Sequence, residues 1–329
     1  MKKKVALLAG GYTGESVVSL NSAKQIEASL DTERYEVYKI IVTPEEWYFT
    51  DTQNEKVPVN RADFSLDVQG ERIKFDVVFI IIHGSPGEDG KLQSYFDLLN
   101  IPYTTCDATT SALTMNKAYT KAVVNGIDKL HIANSVQLFE NDAEQLEKIK
   151  MKLQLPLFVK PNNGGSSIGM SKVNAWEELA SALDKAFAED TQILVEEFIE
   201  GREFTVGIYK AAGEVHVLPI TEIKSSKEFF DYEAKYTKGV TEEITPAQID
   251  DGLAAKVGKI AQEIFVKLNC RGVVRVDFIV QKNTENFYFI EINTVPGQSE
   301  NSLIPQQVRA TGQSMKSFYS LLIEEALAE

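Results

Sequence analysis

Residues 75–82, Phe75-Asp76-Val77-Val78-Phe79-Ile80-Ile81-Ile82, constrain the fold of this chain more than any other stretch, because seven of the eight side chains are apolar. A strand that is apolar on both faces needs cover on both, the situation of a parallel sheet between helices. The surrounding sequence fits that reading. Residues 5–9 are a short apolar run ending in Gly10-Gly11, a strand leaving through a tight turn. Val17, Leu20, Ala23, Ile26 and Leu30 then recur at helical spacing, and residues 35–42 form another strand. Strands alternating with helices over roughly the first hundred residues predict an open α/β domain. Ligands in such sheets sit at the carboxyl ends of strands, here residues 10–15 and 83–90.

Composition bounds the rest. A chain of 329 residues, 43 % hydrophobic and 25 % charged, can bury a sizeable core and is about two domains or one multi-lobed enzyme. Its 34 basic against 48 acidic residues give a net charge of −14. That balance argues against nucleic acid as a partner, since polyanions are held by clustered Lys and Arg; a nucleotide ligand stays open. Cys106 and Cys270 are too few and too far apart for a disulfide scaffold, and His83, His131 and His216 too few for a His-rich zinc cluster. The basic tip Met1-Lys2-Lys3-Lys4 precedes an apolar stretch too short for a signal peptide. No window approaches the 18 or so apolar residues of a membrane span, so the expectation is a cytoplasmic protein without membrane contact.

Beyond residue 101 the pattern changes. Residues 109–124 read as a helix, 155–160 as a strand, and Asn174 with Glu177 as the capping box of another helix. Strands are expected at 193–197, 203–210 and 214–220. Residues 221–245 are polar and mixed, the length of a lid or a disordered segment. Thr245-Pro246 predicts the start of a helix reaching about Leu268. Residues 273–280 and 287–293 predict a hairpin around residues 281–286.

That hairpin carries the clearest chemistry. Alternation puts Arg275 and Asp277 on one face of the first strand, with Val274, Val276 and Phe278 on the other. Glu291 and Asn293 likewise share a face, opposite Tyr288, Ile290 and Ile292. A register centred on Thr284 sets Asp277 against Glu291 and Arg275 against Asn293. Two carboxylates and an amide oxygen with room for water suit Mg²⁺ bound together with phosphates; a surface ion-pair ladder is the plainer alternative. Residues 160–169, Lys160-Pro161-Asn162-Asn163-Gly164-Gly165-Ser166-Ser167-Ile168-Gly169, resemble a flexible phosphate cover, with backbone and serine donors and with Lys117 as a second cation. A P-loop is excluded, because no Gly-Lys-Ser/Thr follows the glycines. The strand end at Glu196-Glu197-Phe198-Ile199 could meet an adenine edge, or be only a strand end. Glu15 could receive an ammonium group or merely face a helix dipole, and His83 lies at the ligand edge. The first glycine turn lacks Gly-x-Gly-x-x-Gly spacing, which weighs against a nicotinamide enzyme.

The distinctive stretches fall in one order along the chain, beginning with Gly10-Gly11, Glu15 and Val18-Ser19-Leu20-Asn21-Ser22, then His83-Gly84 and Gly87-Glu88-Asp89-Gly90. They continue through Lys160-Pro161, Gly165-Ser166-Ser167, Glu203-Phe204-Thr205-Val206 and Asp231-Tyr232-Glu233-Ala234-Lys235-Tyr236, to Glu291, Asn293-Thr294 and Pro296-Gly297. Taken together in that order, they resemble the ATP-grasp superfamily and, within it, the D-alanine–D-alanine ligase family.

The resemblance implies a Rossmann-like open sheet over 1–105, then a two-lobed ATP-grasp module, 106–195 and 196–329, with a lid at 221–245. It implies D-alanine and ATP as substrates, joined through a D-alanyl phosphate in cell-wall precursor synthesis, in a bacterial homodimer. Two Mg²⁺ ions, for which Mn²⁺ could substitute, would be carried by Asp277, Glu291 and Asn293. Lys117, Lys160 and Ser167 would hold ATP phosphates, Glu196, Glu197 and Ile199 line the adenosine, and Glu203 take the ribose. Lys235 would lie near the transferred phosphoryl. Arg275 and the Gly297 N–H would stabilise the oxyanion, and Glu15 would bind the first ammonium in a group with Ser166 and Tyr236. His83 would border the substrate, and the backbone at Ser302 and Leu303 would meet the second carboxylate. D-Lactate or D-serine as second substrate, and a nucleotide-binding module without turnover, are the rival readings. The uncharged Asn162-Asn163 pair would loosen the phosphate cover, and residues 298–301 depart from the commoner turn beside the second subsite.

Overall fold

The computed structural model describes residues 2–165, 167–225, 241–284 and 286–328. Lys3–Gly10 lies between Tyr35–Val42 and Val77–Ile80, parallel to both, and the antiparallel strands Trp47–Thr50 and Lys56–Pro58 extend one edge. The apolar alternation of the first strand explains its two covers. Val5, Leu7 and Ala9 pack with Ile26 of helix Ser16–Ser29 and with Phe318, Tyr319 and Leu322 of helix Met315–Ala328. Ala6 and Leu8 pack on the other side with Phe64, Leu92 and Phe96. The sheet is α/β as its pattern requires, but one of its two covering layers includes a helix from the far end of the chain.

A second sheet is antiparallel throughout, in the order Ser171–Val173, Leu157–Pro161, Ile193–Glu197, Ser135–Leu138. Helices Ala143–Lys152 and Leu179–Phe187 bury its apolar face. A third, larger sheet runs Thr241–Ile244, Thr221–Ser225, Gly201–Ala211, Val273–Gln281, Phe287–Asn293, Leu130–His131, with Glu214–Val217 paired to the long strand Gly201–Ala211. Helix Asp251–Lys267 packs behind it through Val257, Ile260, Ile264 and Phe265.

Several local expectations are corrected. The helix over 109–124 is two helices, Ala108–Met115 and Lys117–Val124, because Asn116 turns extended and caps the second by accepting from Tyr119 N at 3.0 Å. The helix expected to start at Thr245-Pro246 starts at Asp251, where Asp250 accepts from Leu253 N at 2.9 Å. Glu178, not Glu177, reaches back to Asn174 N, at 2.8 Å, ahead of a short 3₁₀ turn. The strand expected over 214–220 ends at Val217. The segment 221–245 is bounded by two paired strands, with Glu222 opposite Ile244 and Ser225 opposite Thr241. Residues 226–240 between them lie outside the described residues.

In the hairpin, Asp277 stands opposite Glu291 and Arg275 opposite Asn293, the register expected about Thr284. Nearer the turn the register slips by one, with Phe278 opposite Phe289 and Ile279 opposite Tyr288. The β-bulge between takes up an extra residue and reverses the faces beyond it. Phe287 and Phe289 therefore join Ile292 in the core, while Tyr288 and Ile290 turn to the cleft, contrary to strict alternation.

Candidate active site

One cleft of about 1260 Å³ is lined by the first sheet's loops, both antiparallel sheets and the start of helix Leu303–Ala310. The described expected site residues Glu15, His83, Lys117, Lys160, Ser167, Glu196, Glu197, Ile199, Glu203, Arg275, Asp277, Glu291, Asn293, Gly297, Ser302 and Leu303 all line it. Ser166, Lys235 and Tyr236 lie outside the described residues.

The central hairpin supplies the acidic wall. Asp277 accepts from Arg275 Nε at 2.9 Å and Nη2 at 2.8 Å, a fork-on-fork pair, and from the Thr205 hydroxyl across the sheet. Asn293 Nδ2 approaches the same carboxylate at 3.4 Å. Burial opposes the charge on Arg275, but Asp277, with Glu291 and Glu88, raises its pKa further above the ordinary value, so it is a permanent cation here. Asp277, Glu291 and the Asn293 amide oxygen are the hard donors that Mg²⁺ takes. Among the described residues no group of three or more His, Cys, Asp or Glu side chains could hold a metal by itself. A divalent ion at this wall fits only with phosphate or water completing its shell.

The opposite wall is cationic. Lys117 begins its helix, reaches the Gly164 carbonyl, and stands 3.5 Å from Glu291. Asn162 sets that position. Its backbone carbonyl accepts from Lys117 N at 3.1 Å, and its side chain accepts from Ala118 N at 2.9 Å. Asn163 is in turn tied to Asp190 by its backbone N at 2.7 Å and its amide at 3.0 Å. The uncharged Asn pair therefore fastens the base of the Gly/Ser loop rather than loosening it. Lys160 and Lys121 both pair with the buried Glu196. Burial, with the neighbouring Lys117 ammonium, brings Lys160 down to about 8. Burial and the Lys160 and Lys117 charges hold Lys121 well below an ordinary lysine.

Glu197 points away from the cleft floor, accepting from Gln154 N at 3.0 Å and Asn134 Nδ2 at 2.9 Å, which leaves its backbone and that of Phe198 and Ile199 along the wall. Glu203 lies beside Ile223 and Ile279 in the large sheet. At the first sheet's end of the cleft, the Glu15 carboxylate sits against two glycines. A Cβ at Gly165 would fall 3.1 Å from Oε1 and one at Gly84 3.2 Å from Oε2, so a side chain at either position would press that carboxylate aside by a few tenths of an ångström. His83 is buried beside it. Burial lowers its pKa, Glu15 opposes this, and Nε2 has no hydrogen-bond partner among the described residues. Glu88 accepts from Gly84 N at 2.7 Å and Val295 N at 3.1 Å, joining the first sheet's loop to the turn that carries Gly297. Burial pushes Glu88 up to about 7, and its two backbone donors only partly offset this. Ser302 precedes helix Leu303–Ala310, and Gln307 on that helix bonds Gly207 N at 3.0 Å and the Thr205 carbonyl at 3.1 Å. Buried Gln298 is fixed by Ser22 at 3.0 Å and Tyr319 at 3.2 Å.

Lys121, Glu88 and Thr205 were not singled out as site residues by the sequence. Lys121 has a usable signal, since it follows Lys117 by one helical turn; Glu88 and Thr205 lie within the stretches 87–90 and 203–206.

An α/β layer with a parallel core, against two largely antiparallel sheets that close on a cleft of lysines and carboxylates, is the architecture of the ATP-grasp fold. The family is more specific. The sequence family described as "D-ala D-ala ligase N-terminus" matches residues 4–106 and "D-ala D-ala ligase C-terminus" matches residues 127–324. The D-alanine–D-alanine ligase of Flavobacterium johnsoniae is 43 % identical over 328 residues, 99 % of this chain and 100 % of that one. Among solved structures, the D-Ala:D-Ser ligase of Enterococcus faecalis superposes with a TM-score of 0.88 at 32 % identity, covering 99 % of this chain and 100 % of that one. The D-alanyl-alanine synthetase A of Vibrio cholerae gives 0.88 at 26 % identity, covering 100 % and 99 %. The chain belongs to the D-alanine–D-alanine ligase family.

Proposed function

We propose that this protein joins two D-alanine molecules into D-alanyl-D-alanine, converting ATP to ADP and phosphate, as a step in peptidoglycan precursor synthesis. The observation that carries the reading is the meeting, in one cleft, of the lysine wall, the Asp277–Glu291–Asn293 wall and the Glu15 carboxylate. A carboxylate is a poor electrophile, so one D-alanine oxygen first takes the γ-phosphoryl of ATP and ADP leaves. The second amine, having lost a proton, then attacks the acyl carbon and phosphate departs.

In this reading Lys117, Lys160 and Ser167 hold phosphates, the strand end at residues 196–199 faces the adenosine, and Glu203 takes the ribose. Two Mg²⁺ ions held by Asp277, Glu291 and Asn293 would neutralise phosphate charge; Mn²⁺ has the same donor preference. Glu15 receives the first ammonium, beside His83. Arg275, permanently charged and aimed by Asp277, shares the oxyanion with the Gly297 N–H. The N–H groups at Ser302 and Leu303 open a helix whose dipole favours the second carboxylate. Ser166, Lys235 and Tyr236 complete the set, with the 221–245 segment closing over an acyl phosphate that water would destroy. The units 1–105, 106–195 and 196–329, a homodimer, and a cytoplasmic location belong to the same reading. D-Serine as second substrate is the alternative, favoured by the structural likeness to the D-Ala:D-Ser ligase.

The test is MgATP-dependent phosphate release with D-alanine alone and beside D-serine or D-lactate, products read by mass. D-Alanyl-D-alanine as main product supports the reading. A mixed dipeptide or depsipeptide as main product overturns its specificity, and no turnover overturns the activity.

A further inference from the structure

Glu196, next to last in the strand Ile193–Glu197, lies on the cleft floor with its side chain 6 % exposed, and each of its oxygens meets a different ammonium, Oε1 that of Lys121 and Oε2 that of Lys160. The two lysine side chains are themselves 5 % and 11 % exposed. An ionised carboxylate so far from water is costly unless neutralised, and one lysine would be enough for that. The second changes what the first can do. If Lys160 alone balanced Glu196, its ammonium would be committed to that carboxylate. Sharing Glu196 with Lys121 anchors the Lys160 side chain and leaves its charge and remaining N–H donors for another anion. Lys117, from the same helix one turn earlier, is placed between the Gly164 carbonyl and Glu291. The floor thus carries three ammonium groups against Glu196 and Glu291, a surplus of positive charge where a polyphosphate would lie.

We propose that Lys121 is a positioning residue: it takes up the charge of Glu196 so that Lys160 stays directed at the nucleotide phosphates. The inference deepens the nucleotide reading above and rests on it. Lys121 touches no phosphate itself; its effect passes through Glu196. Loss of Lys121 leaves Glu196 and Lys160 locked one to one, and removing the carboxylate as well releases that lock.

Calorimetric titration with ADP–Mg²⁺ and with adenosine, on the full chain, reads this out. Lys121→Met is expected to weaken ADP about tenfold or more, the size typical of breaking a buried charge pair, and to change adenosine by less than about twofold. In steady state the KM for ATP rises more than kcat falls. Adding Lys121→Met to Glu196→Gln is expected to cause no further loss of ADP affinity, so the double variant binds ADP better than Lys121→Met alone. If Lys121→Met does not fold, the comparison of Glu196→Gln with the double variant still decides. Unchanged ADP affinity, equal losses for ADP and adenosine, or the same loss in both Glu196 backgrounds would each overturn the proposal. Failure of the unsubstituted protein to bind ADP would instead remove the nucleotide reading, and this inference with it.

Discussion

Glu88 and Lys160 show how single side chains in this cleft carry a pH signature. The folded protein holds the Glu88 proton up to about pH 7, whereas the unfolded chain releases it near the ordinary glutamate value. Between those limits the folded state binds more protons, so this group's contribution to stability falls as pH rises. The unfolding free energy of the unsubstituted protein, from urea titration, should therefore drop relative to Glu88→Gln between pH 5 and 7, by up to about 1.4 kcal/mol per pH unit; a constant difference between the two would contradict it. Lys160 works in the other direction, losing its charge near 8 rather than at the ordinary lysine value. The kcat/KM for ATP should fall above about pH 8, and Lys160→Arg, with a cation that does not titrate there, should flatten that limb while lowering activity at neutral pH. Lys160 was legible from its place after an apolar strand. Its pairing with Glu196 was not, because which lysines a buried carboxylate meets depends on how a helix from one segment lands on a strand from another.

Elements decide how far alternation can be trusted. In the hairpin it brought Asp277 to Glu291 and Arg275 to Asn293, since a one-residue slip there would bury charges and expose Val274 and Val276. Past Phe278 it failed. Packing of Phe287 and Phe289 against the core selects a bulge that no local pattern announces. The helix expected over 109–124 failed for a comparable reason, its break depending on Asn116 capping and on Asn162, just past the end of a distant strand. That contact is itself testable. Asn162→Ala removes a buried cap and should cost about 1–3 kcal/mol of stability. It should also raise the KM for ATP more than it lowers kcat, because Lys117 loses its fixed start; equal effects on both would argue that Asn162 acts elsewhere.

Across the whole molecule, the class of the first sheet was readable from residues 75–82, but the origin of its cover was not. An amphipathic helix at the end of a chain states that one face is buried, without stating against what. Here Phe318 and Tyr319 close the first sheet together with Tyr209 and Val273 of the large sheet, so one core spans both ends of the chain. Phe318→Ala should cost about 3–5 kcal/mol, and urea unfolding followed on probes in the first and third sheets should shift together. Loss confined to the first sheet would contradict that shared core.

The proposed reaction requires this shared framework to bring a nucleotide's phosphate end to an amino acid's carboxylate. D-Alanine labelled with ¹⁸O in its carboxylate, turned over with MgATP, tests it most directly. Transfer of one labelled oxygen into the released phosphate is the predicted result, because the carboxylate oxygen that accepts the phosphoryl group leaves with it. Phosphate free of label, released together with dipeptide, would contradict that transfer.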